Sequence, residues 1–290
     1  MNEFMFYSSL EYTDISQVRN AIQRAYEPVQ IYFFTQLADW MGCRSFWDIG
    51  ANIGSYSMTM AQLESVERVH SFEPMPTLYK ELVANALKND PPRKITPHQI
   101  AVSEKSGSVE FAILGNYSGA NGIVDTLLHD RTSIIEKITV DARSLDNVVL
   151  DGNPPPDGPC FLKIDVEGHE LSVLIGASEF LKNDCVLQIE VYEQETARSP
   201  VDAFLVERGY RRFWQIGADR YYARADRCPS NDQLLEIVSR AHLAMIADFR
   251  KIGIPGLNEG STAITRRVGP IQVSLFDPVA GWLRRLVRRG

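Results

Sequence analysis

Short apolar runs alternate with stretches of helical spacing from Ser45 to Tyr192, and no other feature of the sequence constrains the fold as strongly. The runs 45–49, 68–72, 96–102, 108–114, 160–166 and 186–192 read as strands, and helical patterns follow at 76–88, 169–181 and 200–207. Strands separated by helices pair in parallel and are covered on both faces, so the expectation is a doubly wound, mostly parallel, Rossmann-like α/β sheet. The segment Asp151-Gly152-Asn153-Pro154-Pro155-Pro156-Asp157-Gly158-Pro159 reads as a loop. Beyond Gly209 a hairpin is expected, 211–216 against 220–223, and then a helix from about Asn231 to Lys251. For 290 residues this gives one main domain: a helical extension over 1–44, the core over 45–225 and a helical extension over 226–290.

The strand Phe46-Trp47-Asp48-Ile49 ends in an acid and runs into Gly50-Ala51-Asn52-Ile53-Gly54-Ser55, a glycine-bearing turn that opens a helix. Glycines there permit a tight reversal and close approach of a ligand to the backbone, and the Asp48 carboxylate can pair with a cationic amino group. The spacing separates ligand classes. A dinucleotide site calls for G-x-G-x-x-G, whereas Gly50 and Gly54 are spaced G-x-x-x-G. A phosphate-binding P-loop needs Lys-Ser/Thr after its second glycine, where Ser55-Tyr56 stand. S-adenosylmethionine, with an ammonium group and no phosphate, fits better; an ordinary strand-to-helix turn is the plain alternative.

About twenty residues on, Val69-His70-Ser71-Phe72-Glu73-Pro74 ends a second strand in an acid, the place where a doubly wound fold offers a bidentate acceptor to ribose hydroxyls. The segment Phe161-Leu162-Lys163-Ile164-Asp165-Val166-Glu167-Gly168-His169 puts Lys163, Asp165 and Glu167 on one side of a buried strand, which is costly unless they pair or do chemistry. Asp165, Glu167 and His169 fall at the carboxyl end of that strand, where open α/β sheets bind ligands. Glu190 faces the same crevice if its strand is a neighbour. Asp165 and Glu190 could then orient a hydroxyl, accept its proton or hold a divalent cation. A structural Lys163–carboxylate pair, and His169 as a solvated first-turn residue, are the competing readings.

The order Asp-Ile-Gly-Ala-Asn-Ile-Gly (48–54), Ser-Phe-Glu-Pro (71–74), Ile-Ala-Val-Ser (100–103), Ser-Leu-Asp-Asn-Val (144–148) and Lys-Ile-Asp-Val-Glu-Gly-His-Glu (163–170) resembles the FkbM-type methyltransferases. The resemblance implies a class I fold, S-adenosylmethionine as cofactor and methyl transfer to a hydroxyl, often on a sugar, glycoconjugate or secondary metabolite. It places Asp48, Gly50, Asn52, Gly54 and Glu73, with their neighbours Ala51, Ser55 and Pro74, at the cofactor, and Ala101 and Val102 near the adenine. Lys163, Asp165, His169 and Glu190 are the candidates for catalysis, Asp165 and Glu190 also for a cation. A non-catalytic module binding adenosylmethionine or a glycan is the alternative function; NAD-dependent oxidoreduction is disfavoured by the glycine spacing.

A net charge of −7 disfavours nucleic acid as a partner. Cys43, Cys160, Cys185 and Cys228 are scattered, as expected of free thiols in a reducing compartment. His70, His98, His129 and His242 lack the spacing of a metal site and read as structural or surface residues. The start Met1-Asn2-Glu3-Phe4 has no basic, apolar leader, so a cytoplasmic location is expected. At the other end Val279, Trp282, Leu283, Leu286 and Val287 alternate with Arg284, Arg285, Arg288 and Arg289, which reads as a basic amphipathic helix over 277–289. Such a helix suits peripheral contact with an anionic membrane, or packing on the domain or on a second copy in a homo-oligomer.

Overall fold

The computed structural model describes residues 27–89, 93–114, 121–127, 132, 134–192 and 199–252. The expected basic helix over 277–289, residues 1–26 of the expected N-terminal helical extension and His129 lie outside the described residues.

The doubly wound, mostly parallel sheet is present. Its strands are β1 (Ser45–Ile49), β2 (Arg68–Phe72), β3 (Ile95–His98), β8 (Cys160–Ile164), β9 (Cys185–Glu190), β10 (Tyr210–Ile216) and β11 (Asp219–Arg224), in the order β10-β11-β9-β8-β1-β2-β3. β1, β2, β3, β8 and β9 pair in parallel, while β11 runs antiparallel to β9 and β10. The hairpin expected after Gly209 thus closes one edge. Pro97 is tolerated in β3 because that strand is the other edge and pairs only with β2.

β1 and β8 are buried along their whole length, the mark of strands covered on both faces. Phe46, Phe161, Val186 and Ala223 point to one face, under α1 (Pro28–Met41), α2 (Ser55–Ala61) and α7 (Asn231–Ile252). Trp47, Leu162, Leu187 and Tyr222 point to the other, under α4 (Leu145–Leu150), α5 (Glu170–Ile175) and α6 (Pro200–Glu207). α3 (Pro76–Asn89) follows β2. α1 begins with Pro28, whose fixed φ suits a first helical position, and stops at Gly42, where φ is +68° and the N–H reaches back to Ala38 and Asp39. No described helix is long and apolar enough to cross a membrane.

Three elements differ from the sequence reading. The run 96–102 is two strands, because the chain leaves the main sheet after His98 and β4 (Ala101–Val102) joins a second sheet. That sheet has the order β4-β7-β5-β6, with β5 (Gly107–Leu114), β6 (Gly122–Ile123) and β7 (Ile134–Arg143); β7 went unread, although Ile138, Val140 and Ala142 alternate with polar residues. The helix expected over 169–181 breaks into α5 and a 3-10 turn, Phe180–Lys182, at Gly176, where a Cβ would lie 2.0 Å from the Ser103 carbonyl oxygen.

Candidate active site

The strand order reverses between β1 and β8, and a crevice opens at the carboxyl ends of strands at such a point. The turn after β1 is tied down by backbone: Gly50 and Ala51 donate to the Phe72 carbonyl at 3.1 and 2.9 Å. Gly50, Asn52 and Gly54 all take positive φ, +83°, +51° and +91°. The glycines answer to packing as well as to φ. A Cβ on Gly50 would stand 1.8 Å from the Asp165 carbonyl oxygen, and one on Gly54 would meet Leu82 and Met58 at 2.6 and 2.8 Å. Ser55 opens α2 directly after this turn.

Glu73 stands beside the turn, at the tip of β2, and is 5% exposed. Its Oε2 accepts from the Asn52 N–H at 3.0 Å and its Oε1 from the Met75 N–H at 2.9 Å, across Pro74. A carboxylate oxygen has room for a second hydrogen bond, so the side chain is fixed in place with acceptor capacity left on both oxygens. Burial pushes its carboxyl up to about 7, against the pull of those two N–H groups. Asp48 behaves differently. It is 1% exposed, and its Oδ2 accepts from the Ser57 N–H at 3.1 Å and the Ser57 hydroxyl at 2.5 Å, while its buried Oδ1 has no hydrogen-bond partner among the described residues. Ala101 and Val102 are buried in β4, and Val102 belongs to the core beneath Trp47, Ile49 and Phe72.

Lys163, Asp165 and Glu190 come together. The Lys163 Nζ is 2.7 Å from Asp165 Oδ2 and 4.8 Å from the Tyr56 ring centroid, and its side chain is 5% exposed. Burial pulls the ammonium down, but Asp165, then Glu27 and Asp48, hold it above its ordinary value. Burial pushes Asp165 up and the Lys163 charge prevails, with help from a Glu190 hydrogen bond, so Asp165 stays below the usual range. Glu190 is pushed up to about 10 by burial and by the Asp165 charge. It therefore carries the proton of the pair, donates it toward Asp165 and accepts from the Tyr192 hydroxyl at 2.6 Å.

Ligand atoms of Asp165, Glu167 and Glu190 lie within 4.8 Å of one another. The spacing suits a divalent cation, and the Lys163 ammonium, 2.7 Å from Asp165 Oδ2, competes with a cation for that oxygen. Glu167 itself sits at φ +54°, in the turn between β8 and α5.

His169 is 7% exposed, so it is not a solvated first-turn residue. Its two ring nitrogens are 2.9 Å from the Ser103 hydroxyl and 3.0 Å from the Thr126 hydroxyl, and burial lowers its pKa. The second sheet thus reaches the crevice. Gly122 packs against Glu167, where a Cβ would lie 3.2 Å from the Glu167 Cβ, and Asn121 Nδ2 lies 3.3 Å from the Met75 sulfur.

Several members of this assembly escaped the sequence reading. Gln188 stood in plain view, a polar residue in an apolar strand, two positions before Glu190 and on the same side. Its Nε2 donates to the Tyr56 hydroxyl at 2.9 Å and to Asp219 at 2.7 Å. Glu27, Asp219, Ser103 and Thr126 carry no local signal and are assembled only by topology. His70 and His98, taken as structural, form a pair at 3.1 Å stacked on Trp47 and Phe72.

A family model described as the methyltransferase FkbM domain matches residues 48–212. Among curated proteins, the hexuronic acid methyltransferase AglP of Haloferax volcanii is 30% identical over 50% of this chain, a match that spans 55% of the relative's length. The methyltransferase sdnD of Sordaria araneosa is 26% identical over 56% of this chain and 72% of its own. Among solved structures, a putative caffeoyl-CoA O-methyltransferase from Staphylococcus aureus superposes with a TM-score of 0.44 at 13% identity, over 73% of this chain and 92% of that one.

Proposed function

The chain belongs to the FkbM methyltransferase family, and on that premise we propose that it transfers a methyl group from S-adenosylmethionine to a hydroxyl of a sugar, glycoconjugate or related metabolite. The observation that carries this reading is Glu73, a buried carboxylate held by Asn52 and Met75 with acceptor capacity on both oxygens, beside a turn bearing three positive-φ residues. Such a group suits the ribose diol of the cofactor. Once bound, the cofactor supplies an electrophilic sulfonium methyl.

The chain's own residues have two tasks: aligning the acceptor and managing its proton. Asp165 is the charged acceptor at the crevice, and Lys163 fixes one of its oxygens at 2.7 Å. Its carboxylate hydrogen-bonds the acceptor hydroxyl and draws the proton as transfer proceeds. Glu190, already protonated, keeps Asp165 oriented. His169, held at both nitrogens, positions the loop after β8 against Ser103 and Thr126. The relative described as a hexuronic acid methyltransferase supports a sugar as the acceptor class. The Lys163 ammonium already supplies positive charge beside Asp165.

Isothermal titration with adenosylmethionine, and separately with NAD, tests the cofactor assignment, followed by an acceptor screen that starts with sugars. Saturable binding of adenosylmethionine alone is expected. No binding by folded protein would overturn the reading.

A further inference from the structure

Glu27 precedes α1 in a backbone conformation that a non-glycine residue adopts at a cost, φ 47° and ψ 44°, and its side chain makes no cap to the helix it introduces. Its carboxylate is instead turned into the fold, where Oε2 accepts from the Tyr56 hydroxyl at 3.1 Å. The same hydroxyl accepts from Gln188 Nε2 at 2.9 Å. With one proton to give, Tyr56 is thus held from both sides, and its ring underlies the Lys163 ammonium at 4.8 Å. Lys163 in turn holds Asp165 at 2.7 Å.

We propose that Glu27 is a positioning residue of this active site: through Tyr56 it holds the Lys163 ammonium against Asp165. The inference rests on the functional reading above and extends it to a residue outside the stretch 48–212 that matches the family. The segment carrying Glu27 is tied in from outside that stretch as well, since the Tyr32 hydroxyl of α1 donates to Asp248 of α7 at 2.8 Å. Around Glu27 the charged groups are Lys163 of β8, Asp165 beyond it and Asp219 of β11. Burial, only partly offset by Lys163, pushes the Glu27 carboxyl up to about 7. Near neutrality an amide is therefore a fair replacement, able to accept from Tyr56 as the acid does.

The test uses the full chain with lysine labelled at the side-chain nitrogen, because the protons of a buried, paired ammonium exchange slowly enough to be seen; Lys163→Arg identifies the signal. In Glu27→Ala the Lys163 signal shifts or broadens into solvent exchange, and in Glu27→Gln it stays near its original position. In parallel, methyl transfer to methyl glycosides of a neutral hexose and of a hexuronate is measured. Glu27→Ala should lower kcat by about tenfold or more with adenosylmethionine affinity retained, and Glu27→Gln should recover most of the loss. An unchanged Lys163 signal in Glu27→Ala, or Glu27→Gln as impaired as Glu27→Ala, would overturn the proposal. If the parent protein neither binds adenosylmethionine nor methylates these glycosides, the proposed function fails, and the Lys163 signal still decides the role of Glu27.

Discussion

Asp48 and Glu73 end adjacent strands and carry different loads. Asp48 accepts two hydrogen bonds from Ser57 at the start of α2, so removing it leaves a buried N–H and hydroxyl without that acceptor. Asp48→Ala should therefore destabilise the fold by about 1–3 kcal/mol, read as a lower denaturation midpoint, and weaken adenosylmethionine only as the turn loosens. Glu73→Gln keeps an oxygen for one backbone N–H but gives up the second acceptor oxygen and the capacity for charge. It should weaken adenosylmethionine binding by about tenfold or more in a titration, with a smaller change in the midpoint. The reverse ranking, Asp48→Ala sparing stability and Glu73→Gln sparing affinity, would interchange the two roles. Both residues were legible as acids at strand ends. That Ser57 takes up one Asp48 oxygen was not, because it depends on Ser57 lying one helical turn beyond the glycine turn, a matter of chain direction and not of spacing.

At the scale of elements, the glycines matter for what approaches them. Gly176 ends α5 and does not take positive φ, yet a Cβ there would lie 2.0 Å from the Ser103 carbonyl oxygen and 3.0 Å from the Glu104 Cα. Both neighbours are backbone, so neither can swing aside. Gly176→Ala should push α5 from the strand end at Ser103, whose hydroxyl is a partner of His169. We expect a loss of about 3 kcal/mol or more in urea unfolding, and earlier exchange of the α5 amides, whereas Gly217→Ala, with nothing within 4 Å of its Cβ, should pay only for its φ of +61°. Equal effects of the two substitutions would remove the close approach as the cause. The alternation of strands and helices made the main sheet readable from Ser45 onward, because a parallel sheet buried on both faces leaves unbroken apolar runs. In the second sheet β7 is largely exposed and β4 and β6 are two residues each, and β4 continues the run of β3, so the boundary at Gln99 and Ile100 is set by where β7 lies and not by any local preference.

For the whole molecule, the buried ionisable groups fall into two sets that pull stability in opposite directions with pH. Burial raises Glu27, Glu73 and Glu170 from 4.5 to about 7 and Glu190 to about 10. The native state then binds more protons than the unfolded chain above pH 4.5, so the stability these groups contribute is complete below that pH and is lost as pH rises through the native values. Burial also lowers His70 from 6.5 to about 3 and His98 to about 4. Here the unfolded chain binds the extra protons, so their contribution is complete above pH 6.5 and is lost as pH falls toward the native values. Above pH 6.5 the histidine contribution is complete while the raised carboxyls go on losing theirs, so these two sets together make stability decline as pH rises. The melting temperature of the ligand-free protein should therefore fall steadily from pH 6.5 into the alkaline range, where Glu190 is the last of these carboxyls to lose its proton. Scanning calorimetry from pH 4 to 9 at fixed ionic strength checks this. A Glu190→Gln variant, which cannot lose a proton, should flatten the alkaline limb, and a limb of unchanged slope would mean that Glu190 is already ionised at neutral pH in the native state. That result would also remove the protonated partner that orients Asp165, and the acceptor hydroxyl would then face two charged carboxylates instead of one.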